Sequence, residues 1–161
     1  MIEADIRELT AQPTAAVRVT QPMSELDLAS QFDRYLPAVM QRVQELGAEV
    51  GGPPYGRYHQ FGPDKVDVEI GFPLAAPLGA LAPLTEVDAG TIAGSELPAG
   101  PAAVMVHRGS YDALSGAYDA LHDWIHAQGR DEGPAPWESY VDDPGSVDAD
   151  EVRTEICWPL A

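Results

Sequence analysis

Four histidines (His59, His107, His122 and His126) and one cysteine, Cys157, are the side chains best suited to metal or nucleophilic chemistry. His122 and His126 stand four residues apart, a spacing that puts two imidazoles on one face of a helix, where they can share a zinc ion. No glutamate follows the first histidine, and the sequence places no third ligand beside Asp119 and Asp123. The pair therefore reads as a solvated helix face, and no metal is expected. Cys157 has no basic neighbour in sequence to stabilise a thiolate, so it reads as pocket wall or core. A lone cysteine also excludes an internal disulfide framework and a multi-cysteine zinc site. Gly51-Gly52-Pro53-Pro54 cannot act as a phosphate loop, because its prolines remove the backbone donors such a loop needs. The acidic run over residues 142–151 has the composition of a calcium loop but not its spacing, and Pro144 interrupts it; it reads as a solvated connection between two strands. No cofactor is expected.

The whole chain limits its partners. With 161 residues it is long enough for one domain. Its 26 acidic against 9 basic residues give a net charge of -17, a field that repels phosphate backbones and anionic bilayers and attracts cations. Direct nucleic-acid binding and membrane docking are not expected. The first ten residues lack the basic and apolar regions of a secretory signal. The longest uncharged stretch, residues 70–85, is broken by Pro73, Pro77 and Pro83 and is no membrane span. The expected location is the cytoplasm.

The elements that must position any site emerge when the chain is compared with itself. Ala15-Ala16-Val17-Arg18-Val19 returns as Ala102-Ala103-Val104-Met105-Val106 at an offset of 87, and Val68-Glu69-Ile70-Gly71-Phe72-Pro73-Leu74 returns as Thr154-Glu155-Ile156-Cys157-Trp158-Pro159-Leu160 at an offset of 86. Between these ends each half carries a helical pattern. Phe32, Leu36, Val39, Met40, Val43 and Leu46 recur at spacings of three and four and stop at Gly47, with Ser24 or Asp27 as the start. In the second half Ser110 precedes Tyr111, Leu114, Ala117, Tyr118, Leu121, Trp124 and Ile125, and Gly129 closes the run. The periodicity predicts helices near residues 26–46 and 111–128, with Tyr118 and Trp124 in the core. A Gly/Pro turn and an aromatic strand start follow each helix, so each half reads strand, helix, strand, strand. Val66, Val68 and Ile70 alternate with Asp67 and Glu69, giving a sheet with one apolar face toward its helix. Residues 75–100 link the halves, with an extra strand over 91–97.

Leu97-Pro98-Ala99-Gly100, Val104-Met105-Val106-His107-Arg108-Gly109-Ser110-Tyr111, Pro136-Trp137-Glu138-Ser139-Tyr140 and the last strand together resemble the GyrI-like small-molecule-binding domain. That superfamily holds the effector-binding domains of bacterial transcription activators, and stand-alone members. The resemblance covers nearly the whole chain and implies an α+β fold: a pseudo-twofold duplication of a βαββ module, with two helices on one side of antiparallel sheets and a ligand cleft between modules. Module one would span about 1–80 and module two about 97–161 of a single domain 1–161. It further implies a buried acid for cationic aromatic ligands, on sheet faces that do not touch the helices. The residue match puts that acid at Glu138, with Tyr140 on the same face by parity and Trp137 beside it. Glu155 and Cys157 would join them from the last strand, while Thr154, Ile156 and Trp158 turn toward the helix. Tyr58 and Glu69 are the counterparts from the first module, where Gly56 stands in the place of Glu138.

A carboxylate among apolar and aromatic groups is desolvated, so it either takes up a proton or recruits a cation. A lipophilic cation supplies the charge while its rings stack. The leading expectation is a stand-alone multidrug receptor or sequestering protein for amphipathic, aromatic or cationic small molecules. The alternative is a hydrolase opening cyclopropane-bearing genotoxins, with Glu138 and Glu155 as catalytic acids and Tyr58 or Tyr140 as proton donor. A third reading is an acidic interaction protein like the gyrase-inhibitory member. No helix-turn-helix pattern precedes Val17 or follows the last strand, so transcription regulation is expected to need a partner protein.

Overall fold

The computed structural model describes residues 3–77, 79, 81, 91–142 and 145–161. In chain order the elements are β1 (Ala4–Leu9), β2 (Gln12–Pro22), α1 (Leu28–Glu45), β3 (Tyr55–Phe61), β4 (Lys65–Pro73), β5 (Ala93–Leu97), β6 (Gly100–Arg108), α2 (Leu114–Ala127), β7 (Trp137–Tyr140) and β8 (Arg153–Pro159). The chain divides into two α+β units, residues 11–98 and residues 1–10 with 99–161. Part of the linker expected over 75–100, residues 82–90, lies outside the described residues.

In the unit 11–98 the strands run antiparallel in the order β3, β4, β2, β5. The extra strand expected over 91–97 is β5. Helix α1 starts where Asp27 accepts from the Ser30 N–H at 3.2 Å, so Asp27 rather than Ser24 is the cap. It ends before Gly47, whose φ of +69° takes the chain out of the helix. Val39 and Val43 of α1 pack on Val17, Val68 and Ile70, which share one sheet face. Each such valine contributes about 1.5–3 kcal/mol when fully buried.

The unit formed by residues 1–10 and 99–161 has the order β1, β6, β8, β7, again antiparallel throughout. Leu121 and Ile125 of α2 pack on Ala103, Met105 and Ile156. Each unit thus has the connectivity strand, helix, strand, strand plus one edge strand. The edge strand here is β1, paired with β6 over Ala4–Met105 to Leu9–Gly100, so the first ten residues pair within the unit that holds 99–161. Strand pairing also corrects the repeat alignment. Ile70 and Ile156 are equivalent at the expected offset of 86, but Val17 pairs with Ile70 and Met105 pairs with Ile156, which makes the β2-to-β6 offset 105 − 17 = 88. The matching letters at offset 87 therefore lie one residue out of register, on opposite faces. Among the described residues no helix is long and apolar enough to cross a membrane.

Candidate functional site

Register decides which acids share a face. In β7 and β8, Glu138 stands opposite Ile156 and Tyr140 opposite Thr154, while Trp137 stands opposite Cys157 and Ser139 opposite Glu155. Residues directly opposite in an antiparallel pair project to the same side. Ile156 packs against α2, so Glu138 and Tyr140 face α2, and Trp137, Glu155 and Cys157 face the other way. The expectation that Glu138 and Glu155 line one helix-free face is overturned. A shift of one residue in this register would exchange the faces.

Glu138 is 4% exposed. Its Oε2 accepts from the Tyr118 hydroxyl at 2.8 Å and its Oε1 from the Tyr140 hydroxyl at 2.9 Å. Tyr118 reaches it from α2, where its ring lies edge-on to Trp158 with centroids 5.5 Å apart. Tyr118, read from sequence only as core, is therefore the missed partner. The signal was available, since a tyrosine on an apolar helix stripe still needs a partner for its hydroxyl. Burial pushes the Glu138 carboxyl above the usual range, and the two phenol hydrogen bonds and a weaker influence of His107 only partly offset it. Among the described residues no Arg, Lys or His forms an ion pair with Glu138. On the same face, the fully buried Thr154 hydroxyl has no hydrogen-bond partner. Tyr118 lies on Glu138 from α2, and little of the acid is left exposed to water.

On the opposite face of the same sheet, the Cys157 thiol donates to Glu155 Oε1 at 3.7 Å, and Arg7 of β1 stands 4.0 Å from Glu155 Oε2. Burial, reinforced by the Glu155 carboxylate, pushes the Cys157 thiol up to about 12, so it stays protonated near neutral pH.

In the unit 11–98, Tyr58 stands opposite Val68 and packs on the α1-facing core, with its ring edge-on to Phe61 at 5.8 Å. Glu69 is on the other face, opposite Arg18 and Arg57. These two expected partners do not meet. Glu69, 1% exposed, instead accepts from the Tyr55 hydroxyl and lies 3.0 Å from His59 Nε2. The Thr14 hydroxyl donates in turn to the Tyr55 oxygen at 3.0 Å. His59 reaches Glu69 because the register shifts between Tyr58 and Gln60, a bulge that turns the extra residue toward the acid. Burial acts to raise the Glu69 carboxyl, but the His59 and Tyr55 hydrogen bonds and the His59 charge hold it below the usual range. Beside it, Arg18 grips Asp67 through two hydrogen bonds of 2.8 Å. Tyr55 was given no role from sequence and His59 was noted only as one of four histidines, because nothing in the sequence marks a bulge.

The family model for the GyrI-like small molecule binding domain matches residues 3–161. The chain belongs to this family. The GyrI-like chain is similar to the C-terminal domain of EcmrR, at 25% identity and a TM-score of 0.81, covering 100% of this chain and 98% of that domain. It spans 57% of the longer EcmrR chain solved in complex with DNA. It is similar in fold to a Listeria innocua hydrolase at 12% identity and a TM-score of 0.65, covering 99% and 92% of the two chains. It is also similar in fold to SAV2435 bound to tetraphenylphosphonium, at 17% identity and a TM-score of 0.66, covering 99% and 94%. No curated protein matches the sequence.

Proposed function

We propose that this GyrI-like domain is a cytoplasmic receptor for amphipathic small molecules that carry positive charge on an aromatic frame, with Glu138 as the charge partner and Tyr118 and Tyr140 beside it. The observation that carries the reading is the contrast between the two most buried acids. Glu69 is met by His59 at hydrogen-bond distance as well as by hydroxyls, whereas among the described residues Glu138 accepts from the Tyr118 and Tyr140 phenols and feels His107 only weakly, from a distance. A buried carboxylate left without a cation binds one gainfully when a ligand brings both the charge and apolar surface to replace the lost hydration. Entry requires Tyr118 or Tyr140 to move aside.

The likeness to a tetraphenylphosphonium-bound protein and to the C-terminal domain of EcmrR supports this reading, and any control of transcription would run through a partner chain or a DNA-binding segment. The ring-opening alternative loses its paired acids, because Glu138 and Glu155 project from opposite faces. The test is titration with tetraphenylphosphonium and with neutral triphenylphosphine oxide, on the wild type and on Glu138→Gln. Losing the charge is expected to weaken the cation by about 1–3 kcal/mol, roughly 5- to 150-fold, and the neutral compound far less. Equal losses for the two ligands would remove charge recognition from the account.

A further inference from the structure

Helix α2 carries a second stripe of chemistry below Tyr118. His122 and His126 follow it at successive spacings of four, with their rings 4.4 Å apart at the centroids. Past the helix the chain reverses through a tight cap, in which the Gly129 N–H donates to His126 O at 3.0 Å and the Arg130 N–H to Ile125 O at 3.2 Å, with Gly129 at φ +73°. The returning segment is fixed to the end of the chain. Glu132 bridges Leu160, the Gly133 N–H donates to Pro159 O at 2.6 Å, and the Ala161 N–H donates to Asp131 O at 2.9 Å. These backbone bonds set the Glu132 carboxylate against both imidazoles. Its Oε2 lies 3.1 Å from His126 Nε2, and its Oε1 is in contact with His122 Nδ1.

Two features of this cluster differ from an ordinary surface ion pair. Glu132 Oε1 is buried and receives no hydrogen bond, although an imidazole nitrogen lies against it. The ligand atoms of all three side chains fall within 4.8 Å of one another. Around a tetrahedral zinc ion with bonds of about 2.0–2.2 Å, donor atoms stand roughly 3.4 Å apart, so small side-chain adjustments suffice. The nitrogen of His126 that points away, Nδ1, is 3.8 Å from the Asp131 carboxylate, where metal-bound imidazoles commonly find an orienting acid.

We infer that His122, His126 and Glu132 form a binding site for a borderline divalent cation such as Zn²⁺, with three protein ligands and a remaining position open to water. The donor set of two imidazoles and one carboxylate selects Zn²⁺, Ni²⁺ or Cu²⁺ over Mg²⁺ and Ca²⁺, which prefer oxygen alone. The half-exposed histidines give solvent access, and the net charge of -17 raises the local concentration of cations. Bound metal would tie the C-terminal end of α2 to the 131–133 segment and the last strand.

The test uses untagged protein, because an affinity tag would bind the same ions. Zn²⁺ is titrated calorimetrically in a non-coordinating buffer, with thermal unfolding and Co²⁺ absorption as parallel readouts. The expected result is one ion per chain, saturable at low micromolar concentration, a rise in Tm on saturation, and a Co²⁺ spectrum of low-coordinate type. His122→Ala, His126→Ala and Glu132→Gln should each weaken binding at least tenfold and erase the Tm rise, and Asp119→Asn, on the exposed side of α2, should not. Should a variant unfold, the Co²⁺ spectrum of the wild type still reports on the ligand set, since imidazole nitrogen ligation differs from carboxylate ligation alone. Diffuse, unsaturable binding, equal weakening by Asp119→Asn, or an all-oxygen Co²⁺ spectrum would each overturn the assignment and leave His122, His126 and Glu132 as a surface polar cluster.

Discussion

Glu69 and Glu138 are buried to nearly the same degree, at 1% and 4% exposure, but their surroundings push them in opposite directions. For Glu69 the folded carboxyl titrates below its unfolded value, so it contributes stability above the unfolded value that is lost as pH falls through the folded one. For Glu138 the folded carboxyl titrates above its unfolded value, so the native state binds the proton more tightly and gains stability as pH falls from neutral through the folded value. Glu69→Gln is therefore expected to destabilise the protein by about 1–3 kcal/mol at pH 7, because Tyr55 and His59 lose their charged acceptor, and to flatten the acid limb of stability. Glu138→Gln is expected to leave stability at pH 7 unchanged or higher and to remove the gain on mild acidification. Urea unfolding of both variants between pH 4 and 8 checks the two signs. Losses of similar size and pH course in both would show that the cation-poor setting of Glu138 has no energetic consequence.

The elements were legible in the sequence to different depths. Both helices follow directly from the spacing of their apolar residues and from Asp27, Gly47 and Gly129 at their ends, since caps and periodicity are local properties. The assignment of side chains to sheet faces was not, because faces depend on register, and no local pattern fixes the register between β7 and β8, which end and begin 13 positions apart in sequence at Tyr140 and Arg153. For the same reason Tyr140 was rightly grouped with Glu138 within one strand, and Glu155 wrongly grouped with it across two. Glu132 was invisible as a neighbour of His126 because its position comes from the Gly129 turn and the bridge to Leu160. Gly71 shows how tightly one register is specified. A Cβ there would overlap Ala15 O and sit 2.7 Å from Ala16 Cβ, both on the neighbouring strand β2. Tyr55 stands opposite Gly71 and delivers its hydroxyl to Glu69 from that place. Gly71→Ala is expected to cost about 1–3 kcal/mol through backbone displacement. It should also disturb the Tyr55–Glu69 contact, readable as a partial loss of the pH dependence that Glu69 supplies. Unchanged stability in equilibrium unfolding would mean that β2 and β4 yield more easily than their pairing implies.

At the scale of the whole molecule the net charge of -17 acts on any cationic ligand before contact is made. The two contributions, one buried carboxylate and one diffuse field, separate by their response to salt. Mobile ions screen the field between exposed charges over about 10 Å at 0.1 M salt and about 3 Å at 1 M, but reach a buried acid under Tyr118 much less. Association of tetraphenylphosphonium with the wild type is therefore expected to slow as salt rises from about 0.02 to 0.5 M, while triphenylphosphine oxide keeps its rate or binds slightly better. Glu138→Gln should lower the affinity for the cation at every salt concentration yet keep nearly the same dependence of the on-rate on salt, because it removes one of 26 acids and leaves the field standing. Stopped-flow binding on both proteins resolves this. If the salt dependence of the on-rate vanished with Glu138, that single acid would be steering the ligand as well as holding it. Its carboxylate would then have to be exposed to solvent during approach, with Tyr118 already swung away from it.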